Sequence, residues 1–150
     1  MSEFRKLSDS FYASPQVTPQ EISEAAAMGI ALVVNNRPDD EAPGQPASAD
    51  IEAATRAAGM DYLAIPVGSS GFSEPQVEKL QDALAAAQGP VLGFCRSGTR
   101  STLLWALAQA RTGEDPETIG AAAADAGYDV APVRPAMDMF AARARGDQRR

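Results

Sequence analysis

Apolar runs of strand length alternate with longer helical patterns through most of this chain. The runs IALVVNN (30–36), DYLAIPV (61–67) and PVLGF (90–94) are each followed by a loop or turn and then by a helical segment. Continuous apolar runs of this length are typical of strands buried on both faces of a parallel sheet. The alternation predicts right-handed βαβ units, and therefore an α/β domain with a mostly parallel central sheet and helices on both faces.

The remaining segments complete a single domain over residues 1–150. FYAS (11–14) reads as a further short strand, which gives about four or five strands in all. Thr18 is the expected N-cap of the first helix, because Glu21 stands where a capping box requires it. Further helices are predicted over 48–58, 74–88 and 101–112 and within 115–127 and 132–145. We expect the core to lie within residues 11–127, and residues 128–150 to form a C-terminal helix and a basic tail.

Composition excludes several classes of function. With 13 basic and 20 acidic side chains the net charge is −7, so binding to nucleic acid is not expected. No apolar run approaches the ~20 residues that span a bilayer, and the first residues lack the apolar centre of a secretory signal. We therefore expect a cytoplasmic protein that does not bind membranes. Its basic tail carries four arginines and is expected to be solvated and frayed: Arg143, Arg145, Arg149 and Arg150.

The chain has one cysteine, Cys95, and no histidine. An internal disulfide, a Cys-His or Ser-His-Asp arrangement and the common zinc sites are therefore excluded, and we expect neither a metal nor a cofactor. If Cys95 is a nucleophile, a group other than imidazole has to stabilise its thiolate.

The stretch around Cys95 offers such groups. In GFCRSGTRSTLLWALAQA the cysteine ends a predicted buried strand and a predicted helix begins near Ser101. Gly98 permits backbone torsions that let successive N–H groups face one centre, and the helix adds the positive end of its dipole. Such a turn binds anions, and nearby cations and helix N-termini lower thiol pKa values from ~8.5 to roughly 3.5–7.5.

We therefore predict that Cys95 is a nucleophile in an anion-binding loop. Arg100 supplies a planar guanidinium suited to two oxygens of an oxyanion. A hydroxyl of Thr99 or Ser101 is a candidate donor to the sulfur. The loop is completed by five further residues: Arg96, Ser97, Gly98, Thr99 and Ser101.

These residues carry a resemblance to a known family. CRSGTRS followed by TLLWALAQA, with VVNNRPDDEAPGQP and YLAIPV upstream, resembles the bacterial phosphatase-like domain of β-lactamase-hydrolase-like proteins. That family is related to tyrosine and dual-specificity phosphatases and is also catalogued among sulfurtransferases. The resemblance covers residues from about 11 to 112. It implies a tyrosine-phosphatase-like fold, with Cys95 as nucleophile and Arg100 as the oxyanion clamp.

Three features depart from a standard tyrosine phosphatase. Only four residues separate Cys95 from Arg100 where those enzymes have five, and Phe94 stands where they usually have histidine. The loop VGSSGFSEP contains no aspartate to serve as the general acid, only Glu74 at its far end. The shorter loop resembles that of rhodaneses, and sulfur transfer needs no acid to protonate an alkoxide or phenoxide leaving group.

Sequence reasoning thus favours sulfur transfer through a Cys95 persulfide, with a small oxyanion or a sulfane-sulfur compound as the donor. Hydrolysis of phosphorylated substrates through a phosphocysteine is the alternative, and a non-catalytic module that binds oxyanions or phosphorylated partners is the third candidate.

If the acidic loop 37–46 supplies the missing general acid, phosphate ester hydrolysis is favoured over sulfur transfer. Its candidates are Asp39, Asp40 and Glu41, while Arg37 is a possible substrate contact. Otherwise the loop is a solvated segment stiffened by prolines. Trp105 and its neighbouring leucines are expected in the core, whereas Met137, Met139 and Phe140 read as core or as a surface for a protein partner.

Overall fold

The computed structural model describes residues 3–148, with side chains described through residue 146. Its strands are β1 (Arg5–Ser8), β2 (Phe11–Ser14), β3 (Leu32–Asn35), β4 (Asp61–Ala64) and β5 (Val91–Phe94). Its helices are α1 (Pro19–Ala27), α2 (Ser48–Ala57), α3 (Glu74–Ala86), α4 (Thr99–Arg111), α5 (Pro116–Asp125) and α6 (Arg134–Gln148), with a short 3₁₀ turn at Ala131–Val133 before α6.

The five strands form one sheet in the order β1-β2-β5-β3-β4. Strands β2, β5, β3 and β4 are parallel, and only β1 runs antiparallel to its neighbour. β5 is therefore central, so residues that follow it lie at the middle of the sheet's carboxyl edge. The predicted α/β fold with a mostly parallel sheet is confirmed.

Helices cover both faces of the sheet, and each face has its own apolar cluster. Val33 and Leu92 point towards α1 and α2, where Ile22 and Ile51 are buried. The alternate residues of the same strands point to the other face, against α3, α4, α5 and α6. Because the sheet is covered on both sides, its inner strands β3 and β5 are buried and apolar at nearly every position, which is the pattern seen in the sequence.

Local signals place the helices where the sequence predicts them. The Thr18 hydroxyl accepts a hydrogen bond from the Glu21 N–H at 3.2 Å, and Glu21 returns one to the Thr18 N–H at 3.0 Å. This is the expected capping box. Helix α4 begins at Thr99, two residues earlier than expected, because Gly98 adopts φ 91° and serves as its N-cap. Arg100 therefore lies within the first turn of a helix rather than in the loop.

The ends of the chain differ most from expectation. Strand β1 was not predicted, and the buried core extends beyond 11–127 to include Leu7 at one end and Met137 and Phe140 at the other. Met139 is exposed. The basic segment is helical through Gln148 rather than frayed there, whereas Arg149 and Arg150 lie outside the described residues.

Two arginines of the basic segment form ion pairs: Arg143 with Glu74, and Arg145 with Asp115 at 3.8 Å.

Across residues 3–148, no helix has the length and apolar character required to span a bilayer.

Candidate active site

Cys95 follows the central strand β5 directly. Its backbone N–H donates to the Ser14 carbonyl at 3.3 Å, which continues the pairing with β2 by one residue. On the other side, the Asn36 N–H donates to the Phe94 carbonyl at 2.8 Å. The cysteine is 0% exposed. It is thus held rigidly at the carboxyl edge of the sheet, the edge at which parallel α/β folds bind ligands.

The turn after Cys95 directs a backbone donor at the sulfur. The Gly98 N–H donates to Cys95 Sγ at 3.1 Å, and the left-handed φ of 91° that this requires is open to glycine. The Thr102 hydroxyl donates to the Gly98 carbonyl at 2.9 Å and so fixes the junction between turn and helix. Of the successive N–H groups that were predicted to face one centre, the structure records a hydrogen bond to the sulfur from that of Gly98.

The hydroxyls of the loop do not point at the sulfur. Ser101 is buried and donates to Asn36 Oδ1 at 2.7 Å, because the first turn of α4 faces the segment after β3. Asn36 in turn donates to the Ile65 carbonyl at 2.9 Å. Ser97 pairs with Thr99 at 3.0 Å on the exposed side of the loop. Thr99 and Ser101 were the candidate hydroxyl donors to the sulfur, and the structure places Ser101 on Asn36 and Thr99 beside Ser97 instead.

Arg100 is held by a carboxylate from the acidic loop. Its Nη1 and Nη2 donate to the two oxygens of Glu41 at 2.7 and 2.8 Å, and Nη1 also donates to the Val67 carbonyl at 2.7 Å. These bonds use three of the five N–H donors of the guanidinium. The Nε–H and one Nη2–H, which together form the side edge of the group, remain for an oxyanion. Hydrogen bonds to Glu41, followed by the charge of Cys95, raise the pKa of Arg100.

Glu41 also contacts a second arginine. Arg37 is buried; its Nε donates to Glu41 at 3.0 Å and its Nη1 donates to Gln16 at 3.0 Å. Hydrogen bonds from Arg100 and then from Arg37 lower the pKa of Glu41 to about 2. Arg37 and Glu41 are therefore brought to the cysteine loop, and Glu41 is an anion there at neutral pH.

The other acid candidates are placed differently. Asp39 accepts hydrogen bonds from the Ser48 N–H at 2.8 Å and the Ser48 hydroxyl at 2.9 Å, and it thereby caps the start of α2. Asp40 is exposed with φ 64°, a left-handed conformation that aspartate tolerates better than most residues.

Glu74 is not brought to the site. It pairs with Arg111 and Arg143, and these bonds, led by Arg143, lower its pKa. Arg111 is at the far end of α4, where roughly 16 Å of helix separates it from Arg100. Because Glu74 is paired with Arg111, its carboxylate lies near the far end of α4 and away from the cysteine loop.

Sequence reasoning did not find three residues that support the site. They are Asn36, which binds Ser101; Val67, whose carbonyl binds Arg100; and Tyr128, whose hydroxyl donates to the Ser97 carbonyl at 3.2 Å. The sequence contains a signal for Asn36, because an amide directly after an apolar strand is expected at the carboxyl edge of the sheet, where sites form. Val67 acts through its backbone and Tyr128 follows a distant helix, so neither has a local sequence signal.

Comparison with known proteins places this site in a family context. A beta-lactamase hydrolase-like protein of Agrobacterium fabrum is 41% identical over 88 residues, which cover 59% of this chain and 20% of the relative. The chain spans about a fifth of the length of the curated relatives it matches.

Among solved structures, a candidate phosphatase of Neisseria meningitidis Z2491 superposes with a TM-score of 0.81 at 32% identity, covering 93% of this chain and 99% of that one. TpbA of Pseudomonas aeruginosa, solved in complex with phosphotyrosine, has a TM-score of 0.58 at 22% identity, with 91% of this chain and 90% of that one covered. The latter likeness concerns the fold alone.

The family model of the phosphatase-like domain of beta-lactamase hydrolase-like proteins matches residues 3–112, which hold the sheet, the cysteine turn and the Glu41–Arg100 pair. This chain therefore belongs to that family.

Proposed function

We propose that this protein hydrolyses phosphate monoesters through a phosphocysteine at Cys95. The observation that carries the proposal is the arrangement around the sulfur: a Gly98 N–H at 3.1 Å from Cys95 Sγ, and the Arg100 guanidinium, whose charge interacts with that of Cys95. The family and the phosphatase-like fold support the same reaction. They favour it over the sulfur transfer that sequence reasoning placed first.

Two displacements at phosphorus complete the reaction. The Cys95 thiolate attacks the phosphorus atom, an S–P bond forms, and the ester P–O bond breaks to release an alkoxide or phenoxide, which takes up a proton from water to give the alcohol or phenol. Water then attacks the phosphocysteine, the S–P bond breaks, and inorganic phosphate leaves as the thiolate is regenerated. In both steps the Gly98 N–H stabilises charge on the sulfur, as nucleophile and then as leaving group, and Arg100 stabilises charge on the non-bridging oxygens.

Aryl phosphates fit this site better than alkyl phosphates. Glu41 is ionised, and Asp39 caps α2, so neither is poised to protonate a leaving oxygen. Among the side chains of residues 3–146, Asp40 has no ion-pair partner, and it is the acid candidate that remains in the loop. General acid catalysis typically contributes ~10²–10⁴-fold, and a phenol needs it least because phenoxide is the more stable leaving group. We therefore expect phosphotyrosine-like substrates, the class that TpbA binds in its complex.

Sulfur transfer remains the second candidate, on a specific observation. The turn closes in four residues between Cys95 and Arg100, and two carboxylates of the acidic loop, Glu41 and Asp39, are already engaged by other groups. A persulfide reaction needs the thiolate and the anion cradle but no proton donor for a leaving alkoxide.

One experiment separates the candidates. The protein is incubated with p-nitrophenyl phosphate and, separately, with thiosulfate plus cyanide, alongside Cys95→Ser. Release of p-nitrophenol that is lost in Cys95→Ser supports the proposal, whereas thiocyanate formation without p-nitrophenol overturns it in favour of sulfur transfer. Absence of both products, with inorganic phosphate still bound in calorimetry, identifies a non-catalytic binding module.

Two variants test the assigned roles. Arg100→Lys keeps the charge but loses the planar fork, and we expect kcat/KM for p-nitrophenyl phosphate to fall roughly 10²–10³-fold. Arg56→Lys is the matched control, because Arg56 is exposed and pairs only with Glu52 within α2. Equal activity in the two variants would remove Arg100 from the mechanism.

A further inference from the structure

A single peptide group, the one between Ser97 and Gly98, is held at both of its ends. Its N–H, on Gly98, donates to Cys95 Sγ at 3.1 Å. Its C=O, on Ser97, accepts a hydrogen bond from the Tyr128 hydroxyl at 3.2 Å. In a trans peptide the N–H and C=O point in opposite directions, so the two contacts fix one orientation of the same plane.

Without the contact to Tyr128 this orientation is weakly determined. Gly98 has φ 91°, and glycine populates positive and negative φ about equally, so the backbone itself does not prevent rotation of the peptide plane. Rotation by half a turn withdraws the N–H from the sulfur and turns the carbonyl oxygen towards it. A carbonyl dipole there repels both a thiolate and the oxygens of a bound phosphate.

The position of Tyr128 is fixed by burial and by two contacts. It is 9% exposed, its N–H donates to the Ala123 carbonyl at 2.9 Å, and the Arg5 guanidinium lies over its ring at 5.2 Å from the centroid. Arg5 also donates to the Ala126 carbonyl at 3.1 Å, which ties β1 to the end of α5.

Burial raises the pKa of Tyr128, so its hydroxyl is protonated at neutral pH and donates rather than accepts. The fit to the loop is close, because a Cβ built on Gly98 would lie 2.2 Å from the Tyr128 oxygen.

We propose that Tyr128 is a positioning residue for Cys95, which acts by holding the Ser97–Gly98 peptide with its N–H directed at the sulfur. The Tyr128 hydroxyl is bonded to the Ser97 carbonyl, so it acts on the sulfur through this peptide. It lies beyond residues 3–112, the part of the chain that the family model matches, and reaches the loop from the segment after α5. The inference depends on the proposed function only through the role of Cys95 as nucleophile.

The test is Tyr128→Phe, which removes one oxygen and leaves the packing of the ring. Because the chain has a single cysteine, its thiolate is followed directly by ultraviolet absorbance as pH is raised, with no substrate present. Loss of one neutral hydrogen bond corresponds to roughly a three- to tenfold change in an equilibrium. We expect the midpoint of the thiolate titration to move by about half to one pH unit to higher pH. We expect kcat/KM for p-nitrophenyl phosphate to fall by a similar factor.

The matched control is Tyr12→Phe, on β2, whose titration and turnover should equal those of the unsubstituted protein. Arg100, whose charge interacts with Cys95, is unchanged in both variants.

A lower melting temperature with an unmoved titration midpoint would mean that Tyr128 is merely structural, and would overturn the inference. A moved midpoint in a protein that hydrolyses no phosphate ester would support it while refuting the proposed function.

Discussion

Replacing Glu41 with glutamine removes the negative charge that holds Arg37 and Arg100 together, while the length and shape of the side chain are kept. A pKa of about 2 in place of 4.5 corresponds to at most ~3 kcal/mol of pairing free energy. The Glu41 side chain is 24% exposed, so water screens part of this interaction. We expect Glu41→Gln to lower the free energy of unfolding by about 1–2 kcal/mol at neutral pH.

The effect should depend on pH in a defined direction. Because the folded-state pKa of Glu41 is depressed, the ionised carboxylate favours the folded state above the unfolded pKa of 4.5, and that advantage is lost as pH falls towards 2. Urea unfolding of the two proteins at neutral pH and at decreasing pH measures the difference. The stabilities of Glu41→Gln and the unsubstituted protein should converge in this acid range.

The matched control is Glu52→Gln, which breaks an exposed ion pair with Arg56 in α2. Such pairs contribute ~0.2–1 kcal/mol, so the control should change stability less. If Glu41→Gln proves neutral at neutral pH, or if its cost is the same at pH 2, the carboxylate does not hold the two arginines by charge. The reasoning about Arg100 would then fail.

Three further substitutions test the loop and its supports. Gly98→Ala should lower the free energy of unfolding by at least ~1–3 kcal/mol and should also lower turnover, because residue 98 has φ 91° and the added Cβ would meet the Tyr128 oxygen. Urea unfolding and p-nitrophenol release measure the two effects. Asn36→Ala leaves the buried Ser101 hydroxyl without its acceptor and should cost ~1–3 kcal/mol, measured by thermal unfolding. Asp39→Ala should cost about 1 kcal/mol through the cap of α2 and leave the turnover of p-nitrophenyl phosphate unchanged, and a large loss of turnover would instead identify Asp39 as the acid.

The fold was predictable because its signals are local. Runs such as 30–36 and 90–94 are apolar without alternation, which indicates strands covered on both faces, and the Thr18 capping box marks where α1 begins. Strand β1 was missed because RKLS has no apolar run, and an edge strand needs only backbone pairing with β2. Strand β1 is therefore defined by its pairing with β2 rather than by its own residues.

The site was predictable only as far as its residues are adjacent in sequence. Cys95, Gly98 and Arg100 share one turn, so their convergence follows from the strand-to-helix geometry. Glu41 reaches Arg100 across 59 positions, and its selection over Asp39 and Asp40 depends on how the proline-rich loop folds back over the sheet edge. Glu74 was a candidate by its place in the sequence, but its pairing with Arg111 and Arg143 is a tertiary interaction that no local pattern encodes.

Helix α4 is enclosed by the sheet and by α3, α5 and α6, and nine of its 13 residues are buried. The helix that carries Arg100 is therefore held by packing on several sides, and the Cys95 sulfur has no contact with solvent. A phosphate ester can therefore reach Cys95 only after residues around the sulfur move, so a conformational step precedes the chemical one. Because Glu41 binds Arg100, substitutions that loosen segment 37–45 would also displace the guanidinium and so affect the chemical step itself.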